Sequence, residues 1–448
     1  MTLQFSPQTR RVFHLSLPIF AELLLQLLVG NMDQFMISHF GSAAVAAIGN
    51  GNQVMNVVII VLTTMSTAAT ILLTQHIGAG RVGEECSEIV TVAVTVSAVF
   101  SFLVGLFLLL EPELVFQLLR TPEDAFDGAC LYTRIVGGTV LLQGLYIQLC
   151  AVLRSYTLLK EVVVLSVSMN LLNVVGNAIL INGFFGFPQM GVAGAAVATV
   201  ISQVVSAVLC IIKLTRSDGP YRLEIKRIGF DLPLLKKITS QGVPSGVQNS
   251  IIAIANVVVQ SNINTFGSDA MAGCGSYSKV EGFVFLPITA FAMALTTFIG
   301  QNLGAGQFDR AKQGARIGIL CSMAMAELIG VALFFLAPYA MRLFNDDPAV
   351  VAIGVRQSHI EALFFCFLAF AHGVSAVLRG AGRAQVPMYT MLGCWCILRV
   401  SYITLALKVW PDIATIFWAY PITWSVSCVV FLIYYLKADW VHALEKSL

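Results

Sequence analysis

The sequence predicts an all-α, polytopic membrane protein with twelve transmembrane helices in two six-helix lobes related as parallel repeats. Three observations support this fold class. The 448 residues are 57% hydrophobic and only 11% charged, with a mean hydropathy of +0.83, whereas soluble domains contain about 25% charged residues. Apolar runs of about 20 residues, the length that crosses a bilayer as a helix, recur along the whole chain. Short sequence motifs of the first half also recur in the second half, at a nearly constant distance along the chain.

Twelve apolar runs between polar breaks are the predicted spans, and the longer ones can be accommodated by tilting. They lie near residues 12–39, 43–75, 87–110, 127–153, 161–182 and 191–214 in the first half, and near 238–265, 269–301, 314–338, 353–379, 386–408 and 413–436 in the second. We therefore expect an N-terminal six-helix lobe at 1–214, a cytoplasmic linker at 215–237, a C-terminal six-helix lobe at 238–436 and a cytoplasmic tail at 437–448.

The distribution of Lys and Arg predicts a multi-pass protein of the cell (inner) membrane with both termini in the cytoplasm. Three of the 26 basic residues lie well inside predicted spans: Arg134, Lys279 and Arg399. Of those in loops, tails or the ends of spans, only Arg120, Arg342, Arg356 and Lys408 lie on one side of the membrane, and all others lie on the opposite side. Cytoplasmic loops carry the excess of positive charge. The first apolar run continues for a full span, so we expect an anchor and not a cleaved signal peptide.

An internal repeat relates the two halves. The segment "HFGSAAVAAIG" at 39–49 matches "TFGSDAMAGCG" at 265–275, and "QHIGAG" at 75–80 matches "QNLGAG" at 301–306, both at an offset of 226 residues. Pro18 and Pro244 share this offset, and "AVLR" at 151–154 returns at 376–379. Because each half has an even number of spans, both insert in the same orientation. Parallel repeats of this kind are typical of transporters that work by alternating access, with the substrate path between the halves.

Several other classes of function are excluded or disfavoured. The "GAG" segments are not followed by Lys-Ser/Thr or preceded by a strand, so they do not fit a phosphate-binding loop, and no ATP-driven mechanism is visible. The ten cysteines include no CxxC pair, which favours buried thiols over disulfides or a zinc site. The net charge of +2 gives no indication of a nucleic-acid partner. We expect a transporter without catalytic residues, cofactor or resident metal.

The chain resembles the multidrug and toxic compound extrusion (MATE) family. The duplicated "FGS" and "GAG" blocks, "LRGAGRAQVPM" at 378–388 and "GFPQMGVAGAAVATVISQ" at 186–203 carry the resemblance over nearly the whole chain. It implies twelve helices in two lobes around a central V-shaped cavity. It also implies export of cationic and amphiphilic small-molecule drugs in exchange for protons or sodium. We expect the bilayer as the other partner, and a monomer.

Asp33, inside the first predicted span, is the main candidate for the cation- or proton-coupling site. A charge at the centre of a bilayer costs at least about 2.5–3.5 kcal/mol, so the side chain should face the bundle interior or water. A carboxyl group there can gain or lose a proton, or bind sodium. Pro18, fifteen residues earlier, allows the helix to bend. The resemblance implies the same proline and acid spacing. The alternative is an acid that only pairs with a neighbouring helix.

Three amides join this candidate site. Asn170, Asn173 and Asn177 in the fifth span are spaced i, i+3 and i+7, which places them on one helical face that should point inward. They could give oxygen ligands to a cation at Asp33. Some MATE relatives carry an acid at the position of Asn177, so the amide here makes tight sodium binding less certain and mildly favours protons. The alternative is that these amides only join two helices.

The second lobe offers a less defined set of candidates. Gln248 is the repeat counterpart of Glu22, so the second-lobe cation site of one bacterial branch, which needs acids on the first and fourth helices, is doubtful here. Glu281 is the alternative proton site, and Lys279 should point to a different helix face. Arg399 should meet an acid, with Glu281 or Glu361 as possible partners. Arg134 should likewise meet an acid or carbonyl groups, and His372 a neighbour within the bundle.

Two alternative functions stay open. A flippase of a lipid-linked precursor shares the broad architecture, but pyrophosphate would call for a strongly basic cavity, and only about three basic residues lie well inside the predicted spans. A signalling or scaffold membrane protein would transport nothing.

Overall fold

The computed structural model describes residues 7–37, 42–119, 121, 123–216 and 231–443, and within these ranges helices joined by turns and loops make up the structure, without strands. The helices are α1 (Pro7–Ile37), α2 (Ser42–Gly78), α3 (Glu84–Leu110), α4 (Pro112–Leu118), α5 (Glu123–Gly137), α6 (Val140–Ser155), α7 (Leu159–Asn182), α8 (Val192–Thr215), α9 (Leu232–Asn264), α10 (Ser268–Gly304), α11 (Phe308–Arg342), α12 (Pro348–Glu361), α13 (Phe365–Gly380), α14 (Gln385–Met391), α15 (Arg399–Val409) and α16 (Ile413–Lys437).

The predicted set of spans is confirmed with one broken member. Eleven segments of the described chain are long and apolar enough to cross a membrane, or twelve if α5 and α6 together form one span bent by 52°. The bend lies inside the predicted span 127–153. Gly137 ends α5 where a Cβ atom would lie 2.7 Å from the Cβ of Leu108, so its small size permits close packing against α3. Gly138 follows directly, and glycine weakens a helix interior.

Other breaks were not expected from hydropathy. A short 3₁₀ turn, Ala362–Phe364, separates α12 from α13, and a π-helical turn, Leu392–Leu398, joins α14 to α15. Both lie within apolar runs, where a smoothed hydropathy profile stays high whatever the backbone does. The short helix α4 was not expected either. Helices α9 and α11 also begin six residues before the predicted spans, because those spans start only after charged residues near the helix start, Lys236 and Lys237 in α9 and Asp309 and Arg310 in α11.

The chain divides into two compact units: one contains Ala21–Gly242, and the other contains Met1–Phe20 with Val243–Leu448. The divisions fall within α1, two residues after Pro18, and within α9, one residue before Pro244. The predicted lobe limits follow loops instead, and they stay predictions. Most of the predicted linker, residues 217–230, and the end of the tail, residues 444–448, lie outside the described residues.

Each unit has its own apolar core. In Ala21–Gly242, helices α2, α3, α6 and α8 bury side chains such as Leu73, Ile89 and Leu149. In the other unit, α10, α11 and α13 pack against one another. Gly330 on α11 permits one of these approaches, because a Cβ atom there would overlap the carbonyl oxygen of Ala362. Small residues at helix crossings are the usual means of close packing in membranes.

Asp412 starts α16 and gives a testable dependence on pH. Its carboxylate accepts a hydrogen bond from the Ala414 backbone N–H at 2.7 Å, and Arg356 lies 3.0 Å away. That backbone hydrogen bond, with help from Arg356, lowers the pKa of Asp412. Since the folded pKa lies below the unfolded value of about 3.9, the stabilisation is present above about pH 4 and is lost as the pH falls through the folded pKa.

We therefore expect Asp412→Ala to lower the stability of the purified protein at pH 7 by about 1 kcal/mol, the usual cost of removing such a cap. Asp412→Asn is the matched control, because it can still cap the helix but cannot titrate. Thermal unfolding of the three proteins at pH 7 and below pH 4 measures both effects. A constant difference between wild type and Asp412→Asn across this range would contradict the expectation.

Candidate functional site

The three predicted amides lie on one buried face of α7 that packs against α8. Asn177 is fully buried, and Asn170 and Asn173 are each 7% exposed. The Nδ2 of Asn177 donates to the Oδ1 of Asn173 at 3.2 Å, and the Nδ2 of Asn173 donates to the Oγ1 of Thr199 on α8 at 3.2 Å. Asn173 therefore links α7 to α8, which is the role that the alternative interpretation expected, whereas the Nδ2 of Asn170 donates to Ser166 within α7. The Nδ2 donors are engaged within α7 or with α8, so the groups that this face can offer to a cation are amide carbonyl oxygens.

Asp33 lies in α1, which runs unbroken from Pro7 to Ile37. Its side chain is outside the described part of the chain, so its distance to the amide face is not part of the structure. Fifteen residues at about 1.5 Å per residue place it roughly 22 Å along the helix from Pro18. The pairing of Asp33 with the amides stays a prediction.

A buried ion pair joins α1 to α6 in the unit that contains Ala21–Gly242. An NH2 group of Arg154 lies 3.4 Å from the Oε1 of Glu22, and the two side chains are 16% and 4% exposed. The internal repeat had pointed to both residues, Glu22 as the counterpart of Gln248 and Arg154 within "AVLR", but not to their contact. Their separation of 132 residues explains why no local pattern reveals it.

The other unit has a different arrangement at the repeat-related positions. Gln248 replaces Glu22 and is buried, and its Oε1 has no hydrogen-bond partner among the described residues. Arg379 is the counterpart of Arg154, and its NH1 donates to the Oγ of Ser375 at 2.9 Å. The first half therefore has a buried ion pair where the second half has an amide.

Glu361 is a fully buried carboxyl group at the end of α12. It accepts hydrogen bonds from the Oη of Tyr277 at 3.1 Å and the Nε2 of Gln357 at 2.9 Å. No basic nitrogen of the described residues lies within 4.0 Å of it. The sequence had suggested Glu361 only as a partner of Arg399. An acid four residues after a Gln within an apolar span was the available signal.

The expected pairing of Arg399 with Glu281 or Glu361 is wrong as a direct ion pair. Arg399 is 2% exposed, and its Nε and NH2 donate to the Oγ1 of Thr423 at 3.3 and 2.9 Å. Its guanidinium also lies 4.4 Å from the ring centre of Tyr420. The physical reason in the case of Glu361 is that its carboxyl group already accepts hydrogen bonds from two neutral donors, Tyr277 and Gln357. Glu281 is partly buried on α10 and makes no ion pair within 4.0 Å.

The structure also gives the surroundings of three other side chains named in the sequence analysis, Lys279, Arg134 and His372. Lys279 is exposed, with its Nζ 5.3 Å from the ring centre of Phe344, and it does not pair with Glu281. Arg134 contacts Glu113 and the Leu109 carbonyl oxygen, which confirms the expected acid and carbonyl partners. His372 packs between the rings of Phe285 and Trp395.

No group of three or more His, Cys, Asp or Glu side chains in the described ranges could hold a metal ion. The ten cysteines, all of them described, are free thiols, as the sequence indicated.

Comparison with known proteins supports the transporter interpretation. The MatE family model matches residues 18–179 and 244–404, so it matches each half once, with the two matches 226 residues apart. "Uncharacterized transporter YisQ" of Bacillus subtilis is 26% identical over 399 residues, covering 88% of this chain and 87% of that protein. "Probable multidrug resistance protein NorM" of Thermotoga maritima is 26% identical over 396 residues, with coverages of 87% and 84%. A solved structure of a MOP superfamily transporter from Pyrococcus furiosus has the same fold, with a TM-score of 0.89, 20% identity and coverages of 99% and 98%.

Proposed function

This chain belongs to the MatE family of membrane transporters, and we propose that it exports cationic and amphiphilic drugs by alternating access in exchange for protons or sodium ions. The observation that carries the proposal is the double match of the family model, one match per half, each beginning at one of the repeat-related prolines, Pro18 and Pro244. A relative named as a probable multidrug resistance protein, matched over most of its length, supports drugs as substrates. It also supports efflux over lipid flipping.

Asp33 is the proposed coupling residue, with the amide face of α7 as its source of oxygen ligands. An external cation reaches Asp33 and neutralises it, α1 changes its bend at Pro18, and drug affinity falls. The emptied transporter then returns to face the cytoplasm. A coupling factor of roughly 10²–10³ corresponds to about 3–4 kcal/mol of differential binding, which one buried carboxyl group can supply.

Protons are the favoured coupling ion, with sodium as the alternative. The amide face of α7 that we assign to the site carries no acid, and Asn177 adds no negative charge there. Dehydrating sodium calls for several hard oxygen ligands with negative charge, whereas one carboxylate suffices to bind a proton. Glu281 is the alternative proton-binding residue, and we place both termini in the cytoplasm because of the loop charges.

Dye efflux from proteoliposomes tests the proposal and identifies the ion. A pH gradient and a sodium gradient are imposed separately, each with the other ion equal on both sides. We expect the pH gradient to drive dye accumulation, and an ionophore that collapses it to stop the accumulation. If neither gradient changes dye movement relative to protein-free liposomes, the proposed exchange is wrong.

A further inference from the structure

The turn between α7 and α8, residues 183–191, exposes three phenylalanine side chains. Phe184 and Phe187 are each 54% exposed, and Phe185 is 90% exposed. Phe184, Phe185 and Gly186 form a short 3₁₀ turn in which no residue is buried. A cluster of exposed apolar side chains often marks a surface that contacts another molecule or a membrane. Residues 183–191, which we call the aromatic turn, therefore present an apolar surface that the described residues leave uncovered.

A glycine and backbone hydrogen bonds hold the aromatic turn in its shape. Gly183 has a φ of 75°, and a Cβ atom there would lie 2.9 Å from the carbonyl oxygen of Phe187. The Gly183 N–H donates to the Ile179 carbonyl oxygen at 2.8 Å, and the Met190 N–H donates to the Leu180 carbonyl oxygen at 3.0 Å. Unpaired backbone groups are costly next to lipid, so this pairing suits a turn at a membrane surface.

Phe185 adopts a left-handed backbone conformation, with a φ of 58° and a ψ of 28°. This conformation is unfavourable for a residue with a Cβ atom, whereas glycine adopts it readily. The strained residue is also the most exposed of the three phenylalanines. Backbone preference alone would favour glycine at this position. The large apolar side chain therefore indicates a contact that this side chain makes outside the described structure.

The helical hairpin that carries the aromatic turn has a long stretch without charge. None of the residues 162–212 is Asp, Glu, Lys or Arg, and this stretch includes most of α7, the whole turn and most of α8. The equivalent turn of the second half, between α15 and α16, contains Asp412, which pairs with Arg356. Charged side chains are costly in the membrane. The aromatic turn can therefore enter the membrane surface, whereas Asp412 favours water.

The lengths of α7 and α8 place the aromatic turn at one surface of the bilayer. Both helices are membrane spans by length and hydropathy, and each has 24 residues. At 1.5 Å per residue such a helix is about 36 Å long, against roughly 30 Å for the hydrocarbon core. A turn that joins two such spans directly lies at the level of the lipid headgroups. This position favours lipid as the partner of the exposed rings.

We propose that the aromatic turn is a membrane anchor, in which Phe184, Phe185 and Phe187 insert into the boundary between lipid headgroups and acyl chains. Apolar side chains of surface anchors enter this boundary by roughly 5–10 Å. The anchor fixes the depth of the end of α7 in the bilayer, and α7 carries the amide face formed by Asn170, Asn173 and Asn177. The inference concerns contact with lipid and does not depend on the transported substrate or the coupling ion.

Fluorescence quenching in liposomes tests the anchor. Gln189→Cys gives a labelling position in the turn, because Gln189 is exposed and is not one of the three phenylalanines. The full-length protein is labelled with a thiol-reactive bimane and reconstituted in phosphatidylcholine liposomes, and wild type treated in the same way gives the background from native thiols. We expect strong quenching by lipids that carry a nitroxide near the headgroup, and weak quenching by aqueous iodide.

Asp346→Cys is the matched control, since Asp346 is an exposed residue in the turn between α11 and α12, which contains a second acid, Asp347. A label there should show the reverse pattern, with stronger quenching by iodide than by the nitroxide lipids. The comparison separates contact with lipid from a general effect of reconstitution.

Replacement of the three phenylalanines tests their role. In the combined variant Phe184→Ser, Phe185→Ser and Phe187→Ser, the label at position 189 should lose quenching by lipid and gain quenching by iodide. The label at position 346 should keep its pattern in this background, which shows that the variant inserts and folds. If the combined variant does not fold, Phe185→Ser alone replaces it and should change the quenching in the same direction.

Three results would overturn the inference. Iodide quenching at position 189 as strong as at position 346 would place the turn in water. Protection of position 189 from both quenchers would show that protein covers the turn, for example a second copy of this chain. Unchanged lipid quenching in the serine variants would show that the phenylalanines do not hold the turn in the membrane.

Discussion

Asp33→Asn is expected to lower ion-driven dye efflux at least ten-fold while the protein still inserts and folds. Asparagine matches aspartate in shape but cannot take up or release a proton at neutral pH. If neutralisation of Asp33 contributes about 3–4 kcal/mol of coupling, its loss removes most of the roughly 10²–10³-fold change in drug affinity between the two states. Efflux driven by a pH gradient in proteoliposomes, at equal amounts of reconstituted protein, measures the effect.

Asp269→Asn is the matched control for this experiment. Asp269 is an exposed acid in the first turn of α10, so the same chemical change there should leave efflux within about two-fold of wild type, the range expected for surface substitutions. Normal pumping by Asp33→Asn would remove Asp33 from the coupling role. Glu281→Gln would then be the next variant to test, because Glu281 is the alternative proton-binding residue.

Glu22→Gln should give the largest loss of stability among the ion-pair variants. It removes the carboxylate from a pair whose side chains are 4% and 16% exposed, so Arg154 remains buried without its partner. Breaking such a pair typically costs about 3–5 kcal/mol, and some exposure of Arg154 places our expectation near 3 kcal/mol. The thermal midpoint in detergent can be followed with a thiol-reactive dye, since Cys150 and Cys210 are buried in the same unit.

Glu113→Gln makes the same substitution in an exposed pair. The side chains of Arg134 and Glu113 are 43% and 39% exposed. Solvent-exposed pairs contribute about 0–1 kcal/mol, so this variant should change the midpoint little. Adding Arg154→Gln to Glu22→Gln should recover part of the loss, because the uncompensated charge is then gone. Equal midpoints for the two single variants would show that burial does not set the strength of these pairs.

Most of the helical fold could be predicted from the sequence, because each span needs a long apolar run and such runs are local. The breaks could not. The bend between α5 and α6 depends on the fit of Gly137 against Leu108, which lies on another helix. The π-helical turn before Arg399 lies in an apolar run that carries no Pro. Hydropathy averages over such features.

The same distinction holds for the candidate sites: spacing within one helix could be predicted, and contacts between distant helices could not. The amide face follows from the spacing of Asn170, Asn173 and Asn177 along one helix, and the structure places all three in a buried face. The partner of Arg399 was misjudged because opposite charge was the only criterion available in the sequence. Thr423, 24 residues away on α16, is an ordinary residue of an apolar span until folding brings it to the guanidinium group.

The contrast between Glu22 and Gln248 bears on how the chain evolved. Duplication of one gene segment produces two identical copies, so the acid and the amide diverged after the event. The two copies now differ in charge at this buried position. A chimaera made from two first halves would carry the counterpart of Glu22 on its seventh span, where this chain has the neutral amide Gln248. Such a chimaera would therefore bury a second carboxylate and change the charge inside its second half.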